Sequence, residues 1–244
     1  MIIAKTAQQA VSAIGSDEFV WCHSMAATPR VLLDALASHA LSRNNITLMQ
    51  LHLEHADSVT VPAMDGHIRH RCFFAGKATR ELINAGRADY VPLFLSELPK
   101  LFRKGEQRVD TALVQVSPPD QHGNCSLGIS VEATRAACEV AGRIIAHINP
   151  AMPRTHGDSF INLRNIHVAY ESREPLISTG ARAASSVESR IGANVASLVE
   201  DGACLQMGIG AIPDAALRCL GGHQHLGIHT EMFSDGVLPL LDAG

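Results

Sequence analysis

Short apolar, strand-like runs recur along the chain at residues 18–22, 46–53, 90–94, 111–116, 143–148 and 167–170. The segments between them carry apolar positions at helical rather than alternating spacing. This pattern predicts an α/β fold with a largely parallel sheet and flanking helices. Thr28 followed by Pro29 reads as an N-cap and first-turn proline opening the helix that contains Val31, Leu32, Leu33 and Leu36. In the stretch 130–134, Glu132 places a carboxylate in the first turn of another helix. A second, shorter cycle follows Glu174-Pro175 and the small-residue stretch 178–186. There Ile191, Val195, Leu198 and Val199 recur at i, i+4, i+7 and i+8, Asp201-Gly202 stops the helix, and a strand is expected over 203–206. We therefore expect a complete first domain over residues 1–180. Residues 181–244 would be the opening helix, strand, turn, helix and strand of a second.

Composition narrows the classes of function. The chain has 244 residues, 46% apolar and 18% charged, enough to bury a sizeable core. Its net charge of −4 and its small aromatic content (one Trp, two Tyr, seven Phe) suit neither a phosphate-tracking groove nor a base-stacking platform, so nucleic acid is not an expected partner. The six cysteines show no Cys-x-x-Cys spacing and read as reduced thiols, mostly small core residues. The start turns polar too soon for a secretory signal, and no window has the roughly 20 apolar residues of a membrane helix, so the chain reads as soluble and cytoplasmic. At the other end, the apolar run 237–241 stops without a cap or polar tail and reads as an interruption.

Two patterns could carry chemistry. In Leu205-Gln-Met-Gly-Ile-Gly-Ala-Ile-Pro-Asp-Ala215, two glycines after a strand and a proline at the start of a helix leave backbone N–H groups unobstructed. Such a loop suits an anion, a phosphate or a developing oxyanion, or it is simply a tight strand-to-helix turn. Pro213 stands where a dinucleotide fingerprint needs its third glycine, which disfavours a nicotinamide site. In Leu226-Gly-Ile-His-Thr-Glu-Met-Phe-Ser-Asp-Gly236, a strand over 226–232 would put Gly227, His229 and Glu231 on one face and Ile228, Thr230 and Met232 on the other. Glu231 would then lie near the carboxyl end of its strand, as a general base, a covalent nucleophile, or a salt-bridged or solvated group. The thirteen histidines form no zinc spacing: His52-Leu-Glu-His55 is not His-Glu-x-x-His, His67 and His70 lie in a basic stretch, and His223-Gln-His225 sits in a glycine-rich turn between elements. No metal is expected. His122 and Cys125 lie in a segment, 117–125, that reads as a turn rather than a nucleophilic dyad.

Together these two patterns resemble the acetyl-CoA hydrolase/transferase family, in particular its 4-hydroxybutyrate CoA-transferase branch. Four earlier segments agree and occur in the family's order: Ala27-Thr28-Pro29, residues 86–99, residues 117–128 and residues 149–158. The resemblance implies class I CoA-transferase chemistry on two CoA-transferase-like α/β domains, the second incomplete in this chain. Glu231 matches the nucleophile that forms a glutamyl-CoA thioester. Gly208, Ile209, Gly210, Ala211 and Ile212 match the CoA-binding loop, and Gln206 lies close to the reacting carbonyl. It further implies acyl-CoA and a small carboxylate (acetate, butyrate or 4-hydroxybutyrate) as substrates, no tightly bound cofactor, and a homo-oligomer. An acyl-CoA hydrolase, or a catalytically silent CoA-binding chain, would carry the same motifs.

Overall fold

Apolar runs that are continuous rather than alternating belong in strands covered on both faces, and the central strands here are of that kind. The computed structural model describes residues 1–178 and 183–243. The chain divides into two compact units, Met1–Ser178 and Thr179–Gly244. The boundary expected between residues 180 and 181 lies outside the described residues.

The first unit contains ten strands: β1 (Ile2–Ala4), β2 (Phe19–Cys22), β3 (Ile46–Gln50), β4 (Ile68–Cys72), β5 (Ala88–Tyr90), β6 (Thr111–Val116), β7 (Asn124–Ser126), β8 (Arg143–Ile148), β9 (Phe160–Asn162) and β10 (Val168–Glu171). Its helices are α1 (Ala7–Val11), α2 (Arg30–Ala40), α3 (Asp57–Thr60), α4 (Lys77–Asn84), α5 (Leu98–Arg103) and α6 (Thr134–Val140). Eight strands form one parallel sheet in the order β1-β10-β8-β6-β2-β3-β4-β5, and β7 pairs with β9 in a separate antiparallel ribbon. The order runs outward from β2 in one direction and from β6 in the other. These two neighbours therefore mark the topological switch point of the sheet. Every residue of β6 is buried. Val20 and Leu48 pack one face with Leu32, Leu33 and Leu36 of α2, while Trp21 and Met49 pack the opposite face with Phe73, Leu98 and Phe102. The Trp21 ring meets that of Phe102 edge-on at 5.2 Å, and its Nε1–H donates to Thr134 Oγ1 at 2.9 Å.

Local expectations differ from the structure in instructive ways. The run 90–94 is not a strand: β5 ends at Tyr90, and the two prolines that follow, Pro92 and Pro99, accompany a change to turns and α5. Pro29, not Thr28, occupies the N-cap of α2, because the Thr28 hydroxyl donates to the Met25 carbonyl at 2.7 Å. Glu132 precedes α6 instead of standing in its first turn, and it caps that helix from outside by accepting from Thr134 N at 2.7 Å and Thr134 Oγ1 at 2.9 Å. Its φ of 27° is left-handed, a conformation that an L residue adopts at a cost. Cys22, Cys72 and Cys125 are buried free thiols, whereas Cys204 and Cys219 are exposed. No helix among the described residues is long and apolar enough to cross a membrane.

The Glu132 carboxyl makes the first unit sensitive to pH. Burial pushes it up to about 7, against the opposing effect of hydrogen bonds from Thr134, Ala133 and Ser24. The groups around it cannot compensate. Burial, and then Glu132 itself, push the thiols of Cys22 and Cys138 upward, while burial pulls neighbouring His23 down to about 4. A carboxyl raised on folding binds its proton more tightly in the native state, so its contribution is full below the unfolded value of about 4.3 and is lost as pH rises through about 7. We expect this group to remove on the order of 3–4 kcal/mol of stability across that window. Urea midpoints followed by far-ultraviolet circular dichroism should fall over it in the wild type, and Glu132→Gln should flatten that part of the slope. An unchanged slope in the variant would place the titration elsewhere.

Candidate active site

The second unit is built on α7 (Ser186–Ala196), β11 (Cys204–Leu205), α8 (Ala211–Arg218), β12 (Gly227–Ile228) and α9 (Leu238–Ala243). Ser185 and Glu188 close a reciprocal capping box at the start of α7. The helix buries Gly192 and Ala196, not the stripe predicted from Ile191, Val195 and Leu198, and Leu198 is 84% exposed. The reason is close approach: a Cβ on Gly192 would stand 2.6 Å from the Ala215 carbonyl carbon of α8, so the small side of the helix faces its neighbour. Ala196, Leu217, Leu220 and Val237 form the local core, with Val199, Leu205, Met207 and Ile228 against it. His223 Nε2 lies 3.0 Å from the Val199 carbonyl, giving that histidine a place in the turn it helps to form.

β11 and β12 pair in parallel, with Cys204 opposite Gly227 and Leu205 opposite Ile228, so their carboxyl ends lie side by side. The backbone ladder continues with His229 N donating to the Leu205 carbonyl at 3.0 Å. One residue later a side chain takes over. Thr230 Oγ1 accepts from Met207 N at 3.0 Å and donates to the Met207 carbonyl at 2.8 Å. Beyond β11 the chain passes through Gly208 to Gly210, whose φ of 115° and ψ of −177° belong to glycine, and α8 starts directly after it. Gly210 offers no side-chain cap. The first-turn N–H groups of Ala211 and Ile212 therefore stay available at the positive end of the helix, and Pro213 has none to offer.

The strand expected over 226–232 is confined to Gly227–Ile228. Alternation of faces therefore lapses before Glu231, and Thr230, expected on the opposite face, joins His229 and Glu231. Gln206, His229, Thr230 and Glu231 line one pocket of about 350 Å³ at the strand ends. The structure thus brings together Gln206 and Glu231 of the predicted residues. Gly208, Ile209, Gly210, Ala211 and Ile212 form the adjoining loop and helix start rather than the wall of this pocket. His229 was already legible as sharing a face with Glu231, whereas nothing in the spacing singled out Thr230. A larger cleft of about 450 Å³ in the first unit, lined by residues that include Lys5, Gln8, Asp34 and Tyr170, contains none of the predicted residues. Among the described residues no group of His, Cys, Asp and Glu is arranged to hold a metal ion.

An exposed carboxylate that shares a pocket with a side-chain amide and an imidazole, beside a loop of free N–H groups, can attack an electrophilic carbonyl and have the resulting oxyanion stabilised nearby. The chain is similar to known proteins along most of its length. Residues 4–208 match the acetyl-CoA hydrolase/transferase N-terminal domain. The chain is 46% identical over 226 residues to a succinyl-CoA:acetate/propanoyl-CoA:succinate CoA transferase of Fasciola hepatica, covering 92% of this chain and 47% of that protein. It is 43% identical over 240 residues to the 4-hydroxybutyrate coenzyme A transferase of Clostridium kluyveri, covering 98% and 56%. The crystal structure of a 4-hydroxybutyrate CoA-transferase from Porphyromonas gingivalis superposes with a TM-score of 0.85 at 34% identity, covering all of this chain and 57% of that one. That of RipA from Yersinia pestis superposes with a TM-score of 0.91 at 30% identity, covering 100% and 59%. The chain spans about half the length of the relatives it matches.

Proposed function

Because the chain belongs to the acetyl-CoA hydrolase/transferase family, we propose that it carries the nucleophile of a CoA-transferase, with Glu231 moving CoA between an acyl-CoA and a small carboxylate. The observation that carries this reading is the shared pocket of Gln206, His229, Thr230 and Glu231 at the carboxyl ends of two parallel strands, beside the glycine-rich loop. In the proposed reaction the Glu231 carboxylate attacks the thioester carbonyl, and collapse of the tetrahedral adduct expels CoA thiolate and leaves an acyl-glutamyl anhydride. The thiolate then attacks the glutamyl carbonyl, releasing the first carboxylate and forming a glutamyl-CoA thioester. A second carboxylate reverses both steps and departs as the new acyl-CoA. Each step exchanges one activated acyl group for another, so no ATP is consumed.

A carboxylate is a weak nucleophile, and the scheme works only where each oxyanion meets preorganised donors. In this reading the Gln206 amide lies near the reacting carbonyl. The backbone of Gly208, Ile209, Gly210, Ala211 and Ile212 holds CoA, which serves as a substrate rather than a resident cofactor. Acetate, butyrate and 4-hydroxybutyrate are the proposed carboxylates. The working form is proposed to be a homo-oligomer, with the first domain ending near residue 180.

Intact and peptide mass spectrometry after incubation with acetyl-CoA tests the assignment. The expected product is CoA joined to the peptide that contains Glu231, with free acetate released. CoA joined to a different residue, or no adduct here and none in a longer family member carrying the same motif, would overturn it. Added acetate should accelerate CoA exchange in a transferase, whereas free-thiol release indifferent to carboxylate would identify a hydrolase, in which water reaches the acyl group.

A further inference from the structure

The segment that carries Glu231 contributes no ladder hydrogen bond of its own after His229, yet two side chains fasten it. On one side Thr230 Oγ1 both accepts from the Met207 N–H and donates to the Met207 carbonyl, at 3.0 and 2.8 Å. On the other, the Ser234 hydroxyl donates to Asp214 Oδ1 at 2.9 Å, in the first turn of α8. Met207 immediately precedes the glycine-rich stretch 208–212 and Asp214 follows it. The two fastenings therefore bracket the loop and the Glu231 segment together, like two rungs with the reacting groups between them. Close approach reinforces the second rung, since a Cβ on Gly236 would stand 2.9 Å from Asp214 Oδ1 and 3.1 Å from Leu217 Cδ1. Thr230, Ser234, Met207 and Asp214 are all half-buried, which shields both rungs in part from competing water.

We propose that Thr230 and Ser234 are positioning residues, whose hydroxyls set the Glu231 carboxylate in register with the N–H groups of the glycine-rich loop. This rests on the CoA-transfer reading given above. Neither hydroxyl takes part in bond making. Their effect is exerted through geometry, where a displacement of about 1 Å between nucleophile and oxyanion donors is worth up to about 10²-fold in rate. Thr230 carries the larger share, because it satisfies both polar groups of Met207 at once and its loss leaves two backbone groups without their partner.

The test compares Thr230→Val, which keeps the shape and removes both hydrogen bonds, with Thr230→Ser, which keeps them, and with Ser234→Ala. Two readouts are taken on the same chain: hydrogen exchange at the Met207 amide, and the rate of CoA-adduct formation at Glu231 as a function of acetyl-CoA concentration. We expect Thr230→Val to speed exchange at Met207 and to slow the saturating rate of adduct formation, each by about tenfold or more. The half-saturating concentration should stay within about twofold, because the loop that holds CoA is intact. Thr230→Ser should restore both quantities, and Ser234→Ala should give a smaller loss of rate. Adduct formation in Thr230→Val at the wild-type rate, or a Thr230→Ser variant as slow as the valine, would overturn the proposal. Absence of adduct from the wild-type chain refers the transfer reading to the longer family member, and Met207 exchange then decides the clamp alone: unchanged exchange in Thr230→Val defeats it and faster exchange supports it.

Discussion

Glu231→Gln is expected to eliminate CoA transfer, lowering adduct formation by at least about 10³-fold while leaving the fold unchanged. The substitution is nearly isosteric, but an amide oxygen is a poor nucleophile and the group can form neither the anhydride nor the thioester. Glu231 is exposed, so its replacement should move the stability of the second unit by no more than about 0.5 kcal/mol. Glu231→Asp separates chemistry from position. It retains the carboxylate one methylene back from the loop, and a loss of about 10²-fold would show that reach as well as charge is demanded. The measurement is the single-turnover rate of CoA attachment, followed by mass spectrometry, with circular dichroism as the control for folding. Turnover in a well-folded Glu231→Gln variant at the wild-type rate would remove Glu231 from the mechanism.

The second large effect concerns the platform beneath the site. Gly192→Ala is a favourable exchange in an isolated helix, by about 1 kcal/mol. Here the added methyl would meet Ala215 C, Ala215 O and Ala216 N at 2.6, 2.7 and 2.8 Å, all backbone atoms of α8 that no rotamer change can move. The helices must separate, and overpacking of this kind costs about 1–3 kcal/mol or more. We expect a net loss of about 1–2 kcal/mol confined to the second unit, whose core of Ala196, Leu217, Leu220 and Val237 is small. Amide exchange resolved by peptide would show faster opening in α7 and α8, with the first-unit sheet unaffected. Equal protection in wild type and variant would mean that α8 yields without cost. Because α8 also carries Asp214 and begins directly after Gly210, the same variant should weaken CoA binding without touching a residue of the pocket.

How much of this could be read from sequence depended on whether a residue's neighbours were near in the chain. β6 and β8 were legible to the residue, because a strand buried on both faces is a plain apolar run. β4 was not: Ile-Arg-His-Arg-Cys reads as a basic stretch until Asp89 of β5, paired with Arg69 and Arg71, shows why two arginines stand beside an otherwise buried strand. β1 was missed because its partner, β10, lies at the far end of the unit. The stripe on α7 was misassigned for a similar reason, since large apolar residues outweigh glycine and alanine in any periodicity, while contact with α8 selects the small ones. At the candidate site, the glycine loop and Glu231 stood out in their pattern, while Gln206 came from the family resemblance. The joint role of Thr230 and Ser234 could not, because each answers a partner, Met207 or Asp214, twenty or more residues away.

The placement of Trp21 has a practical corollary. The chain's one tryptophan and both tyrosines, Tyr90 and Tyr170, lie within Met1–Ser178, and Phe233 is the one Phe, Tyr or Trp in the sequence of the second unit. Trp21 is fully buried against Phe73 and Phe102. Intrinsic fluorescence and near-ultraviolet dichroism therefore report melting of the large sheet and are nearly blind to the unit that bears Glu231. A smooth, single optical transition would certify only the first unit. The unit with the proposed chemistry could unfold earlier, or never fold, without altering the signal, unless a tryptophan were engineered into it as an internal reporter.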